Sequence, residues 1–261
     1  MIKVLSGWGG PGGSTVAFNS LVNLFNSAGI DACFYTPNKW EGITCKWDSQ
    51  NNVKLNKEDR VIYHFMGINQ KLPVKKQILS CHETNLFKIK EHKDLVYDDI
   101  HFVSNFQKDW HGLDGIVIPN VITKYHKPVI KKWDKVAGIL GSIDPHKCVH
   151  ESIRRALEDT DVSKVILCGA ITDPVYFVQQ IMPLINFKVV YCGVSKDMQE
   201  VYDQIDVVYS SSKRECLPMI QGECLKMGLE YRGLESNTRS PEDYEFDDNI
   251  ILKEWKKCLE L

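Results

Sequence analysis

Two glutamates stand eight residues apart, at Glu215 and Glu223, around a predicted turn from strand to helix. The apolar run Val207–Tyr209 predicts the strand, and Pro218 suits the first turn of a helix, because its missing N–H needs no partner there. Both carboxylates would then lie near a helix N-terminus, whose free N–H groups and dipole favour a phosphate. This pattern is compatible with a sugar-nucleotide site, but in a chain with 34 acidic residues the spacing alone is weak evidence.

A glycine-rich loop, residues 7–15, directly follows the first predicted strand, Ile2–Leu5. Glycines let a backbone approach a pyrophosphate without a Cβ in the way. The phosphate loop of nucleoside triphosphatases is excluded, because Gly13 stands where that loop needs a lysine. The dinucleotide-binding pattern of glycines is matched, but the second predicted strand ends at Thr36 without the acidic residue that would hold a ribose. A flexible turn that binds no ligand remains the structural alternative.

Predicted strands and helices alternate along the chain, which indicates a largely parallel sheet covered by helices on both sides. The clearest predicted helix, Ser14–Ala28, has one apolar face and ends at Gly29. Apolar runs bounded by turn residues predict strands at Ile2–Leu5, Ala32–Tyr35, Val61–Phe65, Gln77–Ser80, His101–Val103, Ile116–Ile118, Val136–Leu140, Val165–Cys168, Lys188–Cys192 and Asp206–Tyr209.

A polar stretch near residues 122–134 interrupts this alternation, after which the pattern restarts. We therefore predict two doubly wound lobes, residues 1–125 and 134–248, followed by a packing helix at 249–261. Ligands of such sheets bind outside the carboxyl ends of the strands, so the active cleft is expected between the lobes.

Composition and charge exclude some classes of partner. The chain has 261 residues, a net charge of −2 and a pI near 6.4, so it has no overall field that would attract nucleic acid or an anionic membrane. Nine cysteines occur without any Cys-x-x-Cys, which favours reduced thiols in a cytoplasmic protein. No segment approaches the length of a membrane span, so a soluble protein is expected.

Several segments, in the same order, resemble the retaining GT-B glycosyltransferases of family 4. The resemblance covers most of the chain, up to about residue 230, and its specific parts are the Ile118-Pro119-Asn120 segment and the paired glutamates. It implies two Rossmann-like lobes facing across a cleft, and transfer of a sugar with retention from a nucleotide-sugar donor, above all a UDP-sugar. The matching segments are the glycine loop, Cys81–Glu83, Val103–Asn105, Val117–Val121, Gly141–Lys147 and Glu215–Glu223.

The resemblance also implies roles for individual residues. By the resemblance, His82 and Glu215 are the catalytic residues. His82 would contact the sugar near the anomeric centre, and Glu215 would hold sugar hydroxyls. Glu223 would accept hydrogen bonds from the nucleotide ribose, and Lys147 would bind the diphosphate. The remaining donor-binding positions are Gly9, Gly10, Gly12, Gly13 and Leu217. No metal and no cofactor are expected, because the nucleotide sugar is itself the substrate.

The chain departs from the family pattern at two positions. Ser142 stands where family members carry arginine, so one cation for the diphosphate is lost, and Cys216 replaces a glycine. Lys213 and Arg214, just before the first glutamate, are predicted to reach the same phosphates. The chain is also short for this fold, so a catalytically inactive nucleotide-sugar binding protein is the alternative function.

The same motif residues also have structural interpretations. His82 would cap a strand end, Lys147 would be a solvated lysine at a helix start, and Glu223 would lie on the surface of its helix. Two metal sites are weaker alternatives. A zinc site from Cys81, His82, Cys216 or Cys224 has poor spacing, and the Asp-x-Asp motif of metal-dependent transferases is matched only by Asp159–Asp161, in a loop after a helix.

The acceptor is open between a saccharide, a lipid and a modified nucleobase in DNA. A group of lysines in the first lobe would tolerate an anionic acceptor, but solvated helix faces are the favoured explanation of the same lysines. These lysines are Lys71, Lys75, Lys76, Lys88, Lys90 and Lys93.

Overall fold

Every strand pair in the described part of the chain is parallel. The computed structural model describes residues 1–64, 66–83, 94–126, 128–130 and 133–261. These divide into a first unit, residues 1–122 with 242–261, and a second unit, residues 123–241. Each unit contains one parallel sheet, so the predicted pair of doubly wound α/β lobes is confirmed.

The strands follow the predicted pattern closely. In the first unit they are β1 (Ile2–Ser6), β2 (Ala32–Thr36), β3 (Trp47–Ser49), β4 (Arg60–His64), β5 (Lys76–Cys81), β6 (Asp99–Phe102) and β7 (Ile116–Val117). In the second unit they are β8 (Lys135–Leu140), β9 (Val162–Cys168), β10 (Val189–Gly193), β11 (Val207–Tyr209) and β12 (Glu230–Arg232). Neither β3 nor β12 was predicted, because each is three residues long and lacks an apolar run.

The helices cover the sheet faces and end at identifiable signals. They are α1 (Gly13–Ser27), α2 (Asn105–His111), α3 (Val149–Glu158), α4 (Pro174–Tyr176), α5 (Met198–Tyr202), α6 (Met219–Met227) and α7 (Asp248–Leu259). Helix α4 continues through a π-turn at Phe177–Ile181. Gly112 and Gly228 end α2 and α6 with φ of 57° and 69°, a left-handed conformation that costs glycine little. None of the described helices is long and apolar enough to cross a bilayer.

The strand order of both sheets has the same form. It is β3-β2-β1-β4-β5-β6-β7 in the first unit and β10-β9-β8-β11-β12 in the second. The direction of winding therefore reverses between β1 and β4, and again between β8 and β11. At such a switch point the loops after the two central strands diverge and leave a crevice, where ligands of doubly wound sheets bind.

Two apolar layers pack against the first sheet. Helices α1 and α7 cover one face, where Phe25 meets Trp255 edge to face with ring centroids 6.2 Å apart. Loop residues cover the other face around Tyr63, and His111 of α2 stacks on Phe102 with ring centroids 5.5 Å apart. Arg60 on β4 donates hydrogen bonds to the carbonyl oxygens of Leu259 and Glu260, at 2.5 and 2.8 Å. The C-terminal helix is therefore an integral part of the first unit.

The second sheet is covered in the same way. Val149, Ile153 and Ala156 of α3 pack on one face, while Tyr202, Cys224 and Met227 pack on the other. The guanidinium of Arg155 on α3 donates a hydrogen bond to the carbonyl oxygen of Ser210 at 2.9 Å, just after β11. This contact fixes the point where β11 ends and the loop with the first glutamate begins.

Candidate functional site

An ion pair spans the switch point of the second sheet. Lys147 follows β8 and Glu215 follows β11, and Lys147 Nζ lies 2.5 Å from Glu215 Oε1. The side chains are 33% and 16% exposed, so the pair is reachable from solvent but largely enclosed. The structure thus brings together Lys147, to which the resemblance assigns the diphosphate, and Glu215, to which it assigns sugar hydroxyls, at the edge of the sheet where ligands of doubly wound folds bind.

The loop after β8 is shaped by Asp144. Its Oδ1 accepts hydrogen bonds from the backbone N–H groups of His146 and Lys147, both at 2.9 Å, which closes a tight turn. Ser142 Oγ donates to Asp144 Oδ2 at 2.7 Å. The side chain at the position of the missing arginine therefore supports the turn. Asp144 therefore has a structural role in this turn.

His146 ties this loop to the one after β11, a role that sequence reasoning did not assign. Its carbonyl oxygen accepts from the backbone N–H of Lys213 at 2.8 Å. Its ring Nε2 lies 2.8 Å from the carbonyl oxygen of Arg214, which only accepts, so Nε2 carries the proton and donates. The side chains of Lys213 and Arg214 are exposed.

The charges of the ion pair stabilise each other. Burial disfavours the ionised form of Glu215, but the positive charge and hydrogen bond of Lys147 outweigh it and lower the pKa of the carboxyl. Burial likewise disfavours the Lys147 cation, but the charge of Glu215 outweighs it and raises the pKa of the ammonium group. Both groups are therefore ionised at neutral pH.

Glu223 lies within α6 in a different environment. It is 4% exposed, so its interpretation as a surface residue is wrong. Its carboxylate accepts a hydrogen bond from the Tyr202 hydroxyl, and the ring of Tyr125 packs against Tyr202 with centroids 4.9 Å apart. Burial raises the pKa of Glu223 to about 7, although the Tyr202 hydrogen bond works against the shift. Glu215 and Glu223 thus occupy the predicted loop and helix positions but carry different average charges near neutral pH.

Arg239 holds the loop that contains Glu215, and no sequence motif marks this arginine. It is 8% exposed, and its guanidinium donates to the carbonyl oxygens of Glu215 and Cys216. Its backbone N–H and carbonyl pair with the side chain of Gln221 on α6, at 2.9 and 2.6 Å. Leu217, 5% exposed, packs in the same loop. One buried cation therefore couples the loop to the helix that carries Glu223.

The glycine loop of the first unit contains one position that only glycine can occupy. A Cβ at Gly9 would lie 2.4 Å from the carbonyl oxygen of Asn38, so the loop passes directly over the end of β2. Gly12 precedes α1 and leaves the N-terminus of the helix without a side-chain cap, and Gly13 is its first residue. Thr15 in the first turn is 1% exposed, and its hydroxyl makes no hydrogen bond within the described chain. Gly10 lies against the Trp8 ring.

His82 follows β5 at the same end of the sheet and is half-buried. Its ring lies 4.6 Å from that of Phe18 on α1, which brings it beside the helix that the glycine loop opens. The next residue is held by α2, because Gln107 and His111 both donate to the Glu83 carbonyl oxygen, at 3.2 and 3.0 Å. Burial lowers the pKa of His82 well below its ordinary value, so the ring is neutral at pH 7.

Two of the positions considered as metal ligands, Cys81 and Asp159, have other partners. Cys81 Sγ lies 3.3 Å from His111 Nε2, and Asp159 accepts hydrogen bonds from Tyr209, at 2.7 Å, and from Arg232. Within the ranges that the structure describes, no three His, Cys, Asp or Glu side chains are grouped as metal ligands would be.

Part of the predicted lysine group is paired with carboxylates. Lys71 forms an ion pair with Asp98, and Lys76 pairs with Asp99 at 2.7 Å and with Glu260 at 3.2 Å. Lys88, Lys90 and Lys93 lie outside the described residues. Two of the described lysines thus balance local acidic charge.

Solved structures of glycosyltransferases share this fold. WaaG, a glycosyltransferase involved in lipopolysaccharide biosynthesis, is matched over 100% of this chain and 91% of its own, with a TM-score of 0.70 and 13% identity. HepE from Anabaena, in complex with UDP and glucose, is matched over 97% and 89%, with a TM-score of 0.68 and 13% identity. Sucrose-phosphate synthase from Thermosynechococcus elongatus is matched over 100% and 90%, with a TM-score of 0.64 and 14% identity.

At this level of identity the likeness shows the architecture, and the chain has the GT-B fold of two parallel-sheet α/β lobes. No protein-family model matches the sequence, and neither does any curated protein.

The environment of Glu223 predicts a pH-dependent effect of Glu223→Gln on stability. Folding raises the pKa of this carboxyl to about 7. The wild-type free energy of unfolding therefore falls as pH rises from the ordinary pKa of a glutamate to about 7, because the buried group must ionise. The amide does not titrate. Relative to wild type, the variant should therefore gain up to about 3 kcal/mol between pH 5 and pH 8. Urea denaturation at both pH values measures this, with exposed Glu200→Gln as the control. Parallel pH profiles for wild type and Glu223→Gln would contradict the assignment.

Arg239→Lys tests the support of the glutamate loop. Lysine keeps the charge but not the planar fork, so buried carbonyl oxygens lose their donors and the free energy of unfolding should fall by about 2–4 kcal/mol. Arg154→Lys, at a side chain that is 52% exposed, is the matched control. An Arg239→Lys variant as stable as the control would show that the buried guanidinium does not hold the loop.

Proposed function

We propose that this protein is a glycosyltransferase that moves a sugar from a nucleotide-sugar donor to an acceptor hydroxyl. The observation that carries the proposal is the Lys147–Glu215 pair at the switch point of the second sheet. A cation and a carboxylate side by side suit a ligand that has both a diphosphate and sugar hydroxyls. The proposal is also supported by the glycosyltransferases that share the fold.

The proposed chemistry depends on charge stabilisation. As the glycosidic bond breaks, negative charge develops on the departing nucleoside diphosphate, and a preorganised cation in an enclosed site stabilises it. Lys147 supplies that cation, with Lys213 and Arg214 as additional cations from the neighbouring loop. Glu215 accepts hydrogen bonds from sugar hydroxyls and orients the anomeric carbon. With these cations in place, the proposed reaction uses no metal ion.

Retention of configuration is part of the proposal and rests on the resemblance to family 4. In that mechanism the acceptor attacks from the face that the leaving group vacates, and a leaving phosphate oxygen takes the acceptor proton. No side chain then needs to act as a nucleophile or as a general base. The ionised state of Glu215 at neutral pH agrees with a role in binding hydroxyl groups rather than in delivering a proton.

The proposed function also uses the glycine loop and His82 of the first unit. The uncapped start of α1 suits the donor diphosphate or the reacting sugar, whereas Gly9 lets the loop pass close to the Asn38 carbonyl oxygen. In the second unit, Glu223 is proposed to accept hydrogen bonds from the ribose, in exchange for the one from Tyr202. UDP is the proposed nucleotide, and a structure of Anabaena HepE with UDP-glucose supports it by analogy. The proposed acceptor is a saccharide, a lipid or a modified nucleobase.

A nucleotide-sugar binding protein without transfer activity is the second candidate. It is favoured by Ser142, whose hydroxyl supports a turn where family members carry a cation. Assays of transfer and hydrolysis with a panel of nucleotide sugars separate the two functions, since binding without turnover of any donor would support the second.

Lys147→Met tests the central pair. The variant keeps an unbranched side chain but removes the cation, so kcat for sugar transfer should fall by at least about 100-fold. Glu215 also loses its partner charge, so the melting temperature should fall, and circular dichroism at the assay temperature verifies that the variant is folded. Lys188→Met, at an exposed position of the same unit, should leave transfer at the wild-type rate. Transfer is measured with UDP-sugars and a panel of acceptors. Equal rates for Lys147→Met and the control would exclude Lys147 from the reaction.

Lys213→Ala and Arg214→Ala test whether exposed cations replace the missing arginine. Each should raise the donor KM by about threefold to tenfold, and the double variant should have the larger effect because both charges act on one diphosphate. Steady-state kinetics and calorimetric binding of UDP measure the change. Unchanged activity and unchanged donor affinity in both single variants would show that these two cations do not replace the missing arginine.

A further inference from the structure

Three histidines occur on neighbouring strands at one end of the first sheet. His64 is the last residue of β4, His82 follows β5, and His101 lies in β6. The ring centroid of His82 lies 5.2 Å from that of His64 and 6.1 Å from that of His101. The proposed function uses only His82, yet the other two rings are among the most buried polar groups of the unit.

The protonation of His101 follows from its partner. His101 Nε2 lies 2.8 Å from the carbonyl oxygen of Ile118, which only accepts, so Nε2 carries a hydrogen and donates it. The residue is 2% exposed, and burial lowers its pKa to about 4. The ring is therefore neutral at pH 7, and its other nitrogen, Nδ1, has a lone pair.

Ser80 transmits this arrangement to His82. Its hydroxyl lies 2.8 Å from His101 Nδ1, and the lone pair there requires the single hydroxyl hydrogen. The same oxygen lies 3.2 Å from His82 Nε2 and can then only accept. His82 therefore has its hydrogen on Nε2, because two lone pairs would otherwise face each other.

His64 does not change the direction of the hydrogen bonds from His101 through Ser80 to His82. Its Nδ1 lies 3.1 Å from the Ser80 backbone carbonyl oxygen, and its Nε2 lies 3.3 Å from Glu83 Oε1. Neither of these two contacts involves the Ser80 hydroxyl. The direction of the hydrogen bonds through that hydroxyl is thus set by His101 and Ile118.

We infer that Ser80 and His101 are positioning residues that hold His82 as its Nε2–H tautomer, with the Nδ1 lone pair directed to recognition of a sugar hydroxyl. Nδ1 of His82 accepts no hydrogen bond from the described residues, and the ring lines a small pocket together with Phe18, Asn120 and Trp255. A lone pair attracts a hydroxyl donor and repels a phosphate oxygen. The tautomer follows from geometry alone, whereas the sugar as the hydroxyl donor rests on the proposed function.

Nitrogen NMR of the full-length protein tests the tautomer directly. Long-range proton–nitrogen spectra distinguish a protonated ring nitrogen from one with a lone pair, and loss of a spin system in His82→Gln assigns the signals. We expect a protonated Nε2 and an unprotonated Nδ1 for His82 in the wild-type protein at pH 7. A protonated Nδ1 on His82 would overturn the inference without reference to any activity.

Two variants test which residues hold the tautomer. In Ser80→Ala, His82 loses its acceptor, and its nitrogen shifts should move to the averaged values of mixed tautomers. In His101→Phe, the Ser80 hydroxyl is freed to donate to His82 Nε2, so the population should move towards Nδ1–H. Ser80→Thr keeps the hydroxyl and should keep the wild-type shifts. Wild-type shifts in Ser80→Ala would refute the role of Ser80, and wild-type shifts in His101→Phe would refute that of His101.

Kinetics test the link to the sugar. Ser80→Ala should lower kcat/KM for transfer by about tenfold, and Ser80→Thr should restore most of the loss. With a series of monodeoxy donors, one should be equally poor for wild type and Ser80→Ala, because the recognised hydroxyl is already absent. An equal loss with every donor would refute hydroxyl recognition. Absence of transfer by the wild-type protein would refute the proposed function, while the nitrogen spectra would still decide the tautomer.

Discussion

Parallel pairing of the strands is the constraint on which the candidate site depends. When neighbouring strands run in one direction, every loop that follows a strand emerges at the same edge of the sheet, and the switch in winding opens a crevice there. Lys147 and Glu215 are 68 residues apart in sequence, yet they follow β8 and β11, which are adjacent in the sheet. Their ion pair is thus a consequence of strand order.

The cost of burying charge separates the roles of the two glutamates. Glu215 has a cation beside it, so the Coulombic gain offsets its loss of hydration and the carboxylate stays ionised. Glu223 has only a phenol hydroxyl as its partner in the described hydrogen bonds, so its carboxyl titrates near neutral pH. The same residue type therefore offers a fixed charge in the loop and a titratable group on the helix, because of what packs around each.

The sequence predicts most of the elements because the buried strands are apolar runs and the helices have clear ends. Ile2–Leu5 and Val136–Leu140 fall within one residue of the observed strands, and α1 ends just before Gly29, as expected. Strand β3 and strand β12 give no such signal, since they are short and half-exposed. The support of the site was also missed: Arg239 and His146 act through carbonyl groups, which leave no trace in a side-chain pattern.

The sequence by itself determined that the chain is α/β, that a glycine loop follows the first strand, that a lysine and a glutamate lie in turns after later strands, and that a second glutamate lies on the helix that follows. These are local properties, fixed by hydrophobic period and turn chemistry. Only the tertiary structure decided that Lys147 pairs with Glu215, that Glu223 is buried against Tyr202, and that His101 reaches His82 through Ser80. Such contacts join residues that are distant in sequence or lie on different strands, and their protonation depends on burial, which exists only once the sheets have formed.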